Sequence, residues 1–295
     1  MPHVVNLEFT KLCNARCGFC SCWQVPSKGE LEDYSPIIKK FKPVVVSISG
    51  GEPLLRKNYP ELIKGIRPYC HFLVIITNGA LLNEKSAKAL TNAGIDQICV
   101  SLDYLSEKHD KARKVEGLFD HISKTVPKLS AMGYRIILNS VIMNDNLDQV
   151  IPLVHKAKEW GVEISFSSYC SLKRQKDEHM IDDPNIVKLK SVVEEIKRLK
   201  KEMGHIKSSY HYLNRVVEYF QKGNIGGCKA GVRWIQVTPD GHIQPCSELP
   251  RTCSYEDYTR DLFPMPSCEK CWYSCRGEAE ANPLKPQRLW ELMNA

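Results

Sequence analysis

Six strand-length apolar runs alternate with amphipathic segments, several of which stop at glycine, and this alternation constrains the fold more than any other feature. The runs cover residues 4–9, 44–49, 72–77, 97–102, 135–142 and 163–167. Between them, residues 36–41, 59–67, 84–93, 119–132 and 146–160 carry helical patterns, the last three halted by Gly94, Gly133 and Gly161. Apolar strands separated by such helices predict a parallel βα array. Right-handed crossovers leave a doubly wound sheet or a barrel, whole or partial. Either places the ligand site at the carboxyl ends of the strands. The chemistry-bearing residues fall there: a cysteine loop after the first strand, Gly50-Gly51-Glu52-Pro53 after the second, Asn78-Gly79 after the third and Ser101-Leu102-Asp103 closing the fourth. Past residue 168 the alternation gives way to helices at 183–203 and 209–222. Gly226-Gly227 then opens a cysteine-rich tail with a hairpin at 234–237 and 242–244, turned by Asp240-Gly241.

Composition narrows the setting. No run approaches the ~18 apolar residues of a membrane span. The first residues lack the basic and apolar regions of a secretory signal, so a cytoplasmic protein is the default expectation. The net charge of +7 concentrates in residues 188–207. There Ile186, Leu189, Val192, Val193, Ile196 and Leu199 follow helical spacing, which reads as a solvated helix face rather than a nucleic-acid patch. The 13 cysteines cluster at 13–22 and 228–275, leaving Cys70, Cys99 and Cys170 as isolated small hydrophobes. In a reducing compartment, two clusters of thiols argue for two metal sites rather than disulfides.

The first cluster is K-L-C-N-A-R-C-G-F-C-S-C-W. Spacing of three and two residues lets Cys13, Cys17 and Cys20 face one soft metal centre, and three thiolates on a four-iron cube leave one iron open. This triplet, with Phe19 before its last cysteine and G-G-E-P after the next strand, is similar to the radical S-adenosylmethionine (radical SAM) superfamily. Ser101-Leu102-Asp103 with His109-Asp110 and Arg113 resembles the branch carrying C-terminal auxiliary clusters. The likeness spans about residues 3–170 and again 228–275. It implies an α/β fold with a partial TIM barrel, (βα)6, in a core of residues 1–222 that includes two linking helices. A small cysteine-rich domain of the SPASM or twitch type follows at 223–295.

The resemblance also implies roles. A [4Fe-4S] cluster on Cys13, Cys17 and Cys20 chelates the amino nitrogen and carboxylate of S-adenosylmethionine through its open iron. Gly50 and Gly51 allow close backbone approach, and their carbonyls, with Glu52, receive the methionine ammonium. Ser101 and Arg113 contact the cofactor, Asn139 bonds its ribose or carboxylate, and the Phe19 backbone lies beside adenine. Plainer readings stand beside these: a simple turn at Gly50-Gly51, Glu52 capping the helix after Pro53, Ser101 ending a strand, Arg113 pairing with Glu116, and Asn139 bonding a neighbouring strand. Asp103 is either cofactor support or structural, and Cys22 is a bystander thiol. Tyr104 stands where relatives commonly have glycine.

The second cluster resembles the SPASM/twitch module with one auxiliary [4Fe-4S] cluster on Cys228, Cys246, Cys268 and Cys271, with Cys275 and Cys253 as spares. Structural zinc is the competing reading. The implied activity is reductive cleavage of S-adenosylmethionine to a 5′-deoxyadenosyl radical that takes a hydrogen atom from an unidentified substrate: a small molecule, a lipid or cofactor precursor, or a peptide. A start at the first strand makes a peptide less expected. The expected partners are a low-potential donor such as flavodoxin or ferredoxin, with the chain a monomer. The alternatives are a non-catalytic iron–sulfur electron-transfer or sensing protein, and a zinc-stapled nucleic-acid binder. Tyr255, Tyr258, Trp272, Tyr273 and Trp290 suit a core better than a pocket.

Overall fold

The computed structural model describes residues 1–259, 261 and 268–293. The strands are β1 (Val4–Thr10), β2 (Val45–Gly50), β3 (Phe72–Thr77), β4 (Gln97–Ser101), β5 (Ile136–Ile142), β6 (Glu163–Ser168), β7 (Trp234–Val237), β8 (His242–Gln244) and β9 (Cys253–Ser254). The helices are α1 (Ser35–Phe41), α2 (Tyr59–Ile66), α3 (Glu84–Ala93), α4 (Lys108–Arg113), α5 (Leu118–Ala131), α6 (Val150–Glu159), α7 (Asp183–Met203), α8 (Tyr210–Lys222), α9 (Ser274–Glu280) and α10 (Pro286–Met293). Helix ends fall where local chemistry dictates. Asn83 and Asp182 cap α3 and α7 through their side chains, and Gly94 and Gly204, both at positive φ, end them. Helix α6 begins later than its apolar pattern suggests. The preceding Asn146 side chain instead accepts from Met143 N at 2.8 Å and donates to Val141 O at 2.7 Å, holding a tight turn.

The sheet order is β6-β5-β4-β3-β2-β1-β7-β8-β9. The first six strands are parallel and follow one another without the reversal that a doubly wound sheet requires, which makes this the open (βα)6 barrel. Alternation along each strand divides its two faces. Leu7, Ile48, Ile75, Val100, Leu138 and Phe166 pack in the main core with Ile37, Ile63, Leu90, Ile122 and Leu153 of the helices. Asn6, Glu8, Ser47, Ser49, Ser101, Asn139, Ser165 and Ser167 take the opposite parity together with Val74, Ile76, Cys99, Ile137 and Val141, so the other face is polar along β1, β2 and β6 and mixed in the middle of the sheet.

The hairpin of β7 and β8 forms as its sequence indicates, but its placement was not legible. β7 adds in parallel to β1, with Val4 opposite Trp234 and Leu7 opposite Val237. The C-terminal module therefore continues the barrel sheet. Helix α7 buries its apolar stripe, while Arg198 on its outer face bonds Glu195 and Glu202, as expected of a solvated face. Among the described residues, no helix is long and apolar enough to cross a membrane. Tyr258 and Trp272 are core residues, Tyr255 packs against that core, and Trp290 is 52% exposed.

Candidate metal centres

The cysteine loop leaves β1 at Thr10 and is held from the start by the segment after β2. Gly51 N donates to Thr10 O at 2.8 Å and Glu52 N to Leu12 O at 2.7 Å. A Cβ on Gly50, whose φ is +127°, would lie 2.2 Å from Thr10 O, and one on Gly51 2.0 Å from Leu12 O. The expected reason for the glycine pair was close approach by a ligand. The atoms a side chain would strike are instead the loop's own carbonyls, so the pair lets β2 and the loop lie in contact.

Glu52 is fully buried. Its Oε1 accepts from Leu54 N at 3.1 Å and Thr77 Oγ1 at 2.8 Å, and its Oε2 from Asn78 N at 2.7 Å. The capping alternative therefore describes it, with an added brace to the end of β3. Burial raises its carboxyl pKa against those bonds. Asn78 passes the brace back to the loop by donating to Asn14 Oδ1 at 2.7 Å. Sequence placed Asn78 at this end of the sheet as part of the Asn78-Gly79 pair but gave it no role, and it did not point to Thr77.

The far side of the loop docks on α4: Arg16 N donates to Arg113 O at 3.0 Å and Gly18 N to Ala112 O at 3.3 Å. Arg113 does not pair with Glu116. Its Nη2 and Nε reach Asp103 Oδ2 at 2.7 and 3.2 Å, and its guanidinium carbon lies 5.4 Å from the Phe19 ring centre. Asp103 is fully buried and its Oδ1 accepts from Val141 N at 2.9 Å, so its role is structural. His109 accepts from Asp103 N at 3.3 Å, and burial, then the nearby Arg113 charge, hold it neutral with a pKa of about 4. Ser101 stands opposite Asn139 in the register, and Asn139 Oδ1 accepts from Ser165 Oγ at 3.1 Å. The neighbouring-strand reading of Asn139 thus holds for its carbonyl.

The thiols differ in character. Burial pushes Cys17 up to about 11 against the pull of Arg113. Cys20 is held below the ordinary thiol range, chiefly by a hydrogen bond from the Cys22 thiol. Cys22 N also donates to Cys20 Sγ, at 3.5 Å. Cys22 is therefore a supporting donor to a candidate ligand rather than a bystander.

A cavity in the C-terminal module is lined by Cys228, Cys246, Cys268, Cys271 and Cys275 together with Asn6 of β1. Cys253 lies elsewhere, on β9 opposite Ile243, packed against the main core. Arg276, 1% exposed, braces the wall by donating to Ile225 O at 2.7 Å, Cys271 O at 2.8 Å and Gly226 O at 2.9 Å. Tyr273 lines the cavity and donates to Glu248 Oε1 at 3.2 Å. Lys173 Nζ lies 3.9 Å from that oxygen. Burial opposes the Lys173 charge, but the Cys20 and Glu248 charges outweigh it, so this cation stands near both cysteine groups. Cys170, expected to be a simple hydrophobe, donates to Lys270 O at 3.2 Å beside Cys271.

Residues 7–157 match the Radical SAM superfamily. The chain belongs to that superfamily. GTP 3′,8-cyclase of Aquifex aeolicus is 27% identical over 282 residues, covering 88% of this chain and 84% of that protein. The antilisterial bacteriocin subtilosin biosynthesis protein AlbA of Bacillus subtilis is 23% identical over 285 residues, covering 92% of this chain and 62% of AlbA. Among solved structures, Streptococcus suis SuiB bound to S-adenosylmethionine superposes with a TM-score of 0.72 at 18% identity, over 90% of this chain and 67% of that one. Native anSMEcpe with bound AdoMet gives 0.69 at 17%, over 99% and 95%. At these identities the structural likeness is one of fold. The cofactors expected from the sequence at the first cysteine cluster, a [4Fe-4S] cluster and S-adenosylmethionine, are those of the superfamily.

Both candidate metal positions are lined by thiols. The cavity lining also includes Glu248, and a set of thiols alone suits an iron–sulfur cluster or structural zinc alike. A cube offers each thiolate its own iron, so its ligands need not meet at a point. Among the described residues, no group of three or more His, Cys, Asp or Glu side chains is gathered as for a single ion. The position of Cys253 gives a direct expectation. Cys253→Ser should keep its full iron, while Cys246→Ser should lose about four irons per chain, read by iron and sulfide assay after anaerobic reconstitution.

Proposed function

We propose that this radical SAM enzyme cleaves S-adenosylmethionine reductively at a cluster on Cys13, Cys17 and Cys20, and removes a hydrogen atom from a substrate held between that cluster and the five-cysteine cavity. The observation that carries the reading is that the loop and the cavity share one polar sheet face. Asn6 of β1 lines the cavity, β1 runs on into the cysteine loop at Thr10, and Lys173 Nζ lies 3.9 Å from Glu248 Oε1 at the cavity. When bound, the cluster and S-adenosylmethionine supply a one-electron cleavage that yields methionine and a 5′-deoxyadenosyl radical able to attack an unactivated C–H bond.

The protein's part is to hold and shield. Gly50 and Gly51 keep the loop pressed to β2, and Glu52 fixes the G-G-E-P segment to β3, so that its backbone faces the methionine end of the cofactor. Ser101 and the free amide of Asn139 offer hydrogen bonds to the cofactor's polar groups. Arg113, oriented by Asp103, backs Phe19, whose main chain would receive the adenine. In the module 223–295, Cys228, Cys246, Cys268 and Cys271 hold the auxiliary cluster, with Cys275 a fifth thiol at the same cavity. The core of residues 1–222 thus makes the radical, and the module helps hold substrate or takes up an electron. A flavodoxin- or ferredoxin-type donor supplies the reducing electron. The relatives' names point to GTP in one case and to subtilosin production in another, so kinship supports the reaction type rather than a substrate.

Anaerobic reconstitution tests this. The expected result is about eight irons and eight sulfides per chain, with 5′-deoxyadenosine and methionine formed from S-adenosylmethionine and a strong reductant. Intact clusters that form no 5′-deoxyadenosine would sink the radical reading in favour of electron transfer. Zinc without sulfide would sink both.

A further inference from the structure

The chain following β6 turns back across the cysteine loop, and three side chains from separate segments fasten it there. Tyr104, just past β4, is 1% exposed and packs with Met143 and Tyr169 in a small apolar group that Phe19 and Met180 complete. Its hydroxyl donates to Asp145 Oδ2 at 2.7 Å. Asp145 Oδ1 meets His179 Nδ1 at 3.2 Å. His179 stands edge-on to Tyr169 and to Phe19, with ring centres 5.3 and 6.3 Å away. Two further bonds hold the same segment: Asn144 N donates to His179 O at 3.1 Å, and Tyr169 Oη to Lys176 O at 2.8 Å. Phe19 is thereby confined between His179 and the Arg113 guanidinium.

We propose that Tyr104, Asp145 and His179 are positioning residues for S-adenosylmethionine: they press residues 169–180 against Phe19 and keep its backbone in the conformation that receives the adenine. This rests on the role given to Phe19 above. The contact depends on charge. The acidic groups facing His179 are Asp145 and Glu178, the latter 3.8 Å from Nε2, and the remaining neighbours are the Tyr169 and Phe19 rings. Lys108 is the cation beside Asp145, donating to its carbonyl at 2.7 Å while lying 4.5 Å from the Tyr104 ring centre. The bond from Asp145 raises the His179 pKa above its ordinary value. Although burial opposes it, hydrogen bonding from His179 and Tyr104 brings Asp145 down to about 2. With a raised imidazole, the charged pair contributes fully below the ordinary value of about 6.5 and fades as pH climbs through the raised one.

The test is the S-adenosylmethionine dissociation constant of reconstituted holoenzyme, by equilibrium dialysis between about pH 6 and about pH 8. Wild type is expected to bind about threefold more tightly at the acid end, and His179→Gln to abolish that dependence. Tyr104→Phe, which keeps the packed ring, and His179→Gln should each weaken binding about fivefold, with iron content unchanged and kcat at saturating cofactor within about twofold. Variants with full iron that bind as wild type does at every pH overturn the proposal. Loss of iron in both variants also overturns it, by assigning the three residues to folding of the loop. A wild type with full iron that binds no S-adenosylmethionine overturns the underlying reading instead.

Discussion

A Gly51→Ala enzyme is expected to lose its radical-forming cluster while keeping the auxiliary one. The added methyl would lie 2.0 Å from Leu12 O, 2.5 Å from Leu12 C and 2.7 Å from Lys11 O. All three are backbone atoms, so no change of rotamer relieves the contact. Overpacking of this kind costs about 1–3 kcal/mol when neighbours can adjust. Here adjustment means breaking the bonds from Gly51 N and Glu52 N to the loop, which moves Cys13 and its neighbours. Iron should fall from about eight to about four per chain, and 5′-deoxyadenosine formation by about 100-fold or more. Gly65→Ala in α2 is the matched control, since its Cβ would find nothing nearer than Asp33 Oδ1 at 3.6 Å. Full iron and normal turnover in Gly51→Ala would show that the loop does not depend on this contact.

Arg276→Met should have the complementary effect, emptying the auxiliary site while leaving the radical site loaded. The guanidinium binds three carbonyls that bring the 225–228 segment and Cys271 together, and its Nε donates to Glu280 Oε1 at 3.1 Å. Methionine fills much of the volume but leaves the three carbonyls without the guanidinium and the buried Glu280 carboxylate without its cation, with only Lys229 N still donating to it at 3.0 Å. Removing one member of a buried ion pair costs about 3–5 kcal/mol. The loss falls on the wall carrying Cys228 and Cys271. About four irons should remain, with 5′-deoxyadenosine still produced but uncoupled from substrate turnover. Arg276→Lys should recover little, because a point charge cannot serve acceptors arranged around a planar fork. If Arg276→Met retains about eight irons, the brace is dispensable.

What could be read from sequence was local. The Asp240-Gly241 turn and the glycine stop of α3 each lie within a few consecutive residues, and the structure places them as expected. What could not be read was choice of partner across the fold. Arg113 had Glu116 three residues away, yet it turns to Asp103, which the end of β4 places in reach and which burial makes the stronger partner. Glu52 was given a cofactor role because its bonds to Thr77 and Asn78 cross from one strand end to the next. Four tail cysteines were chosen by spacing, whereas the cavity gathers five and leaves Cys253 outside. Arg276 carries no motif. Its importance appears only once the segments it ties are adjacent.

The parallel pairing of β1 with β7 also sets a timetable for synthesis. The strand that launches the cysteine loop is synthesised well before its partner at 234–237. At about 5–20 residues per second, that edge waits on the order of tens of seconds for its complement. An unpaired edge can recruit foreign strands, and contacts between distant segments form slowly. Iron delivered before β7 arrives would meet a loop whose supporting strand is half-paired. The β1 edge that β7 covers is therefore the last edge of the parallel array to be closed.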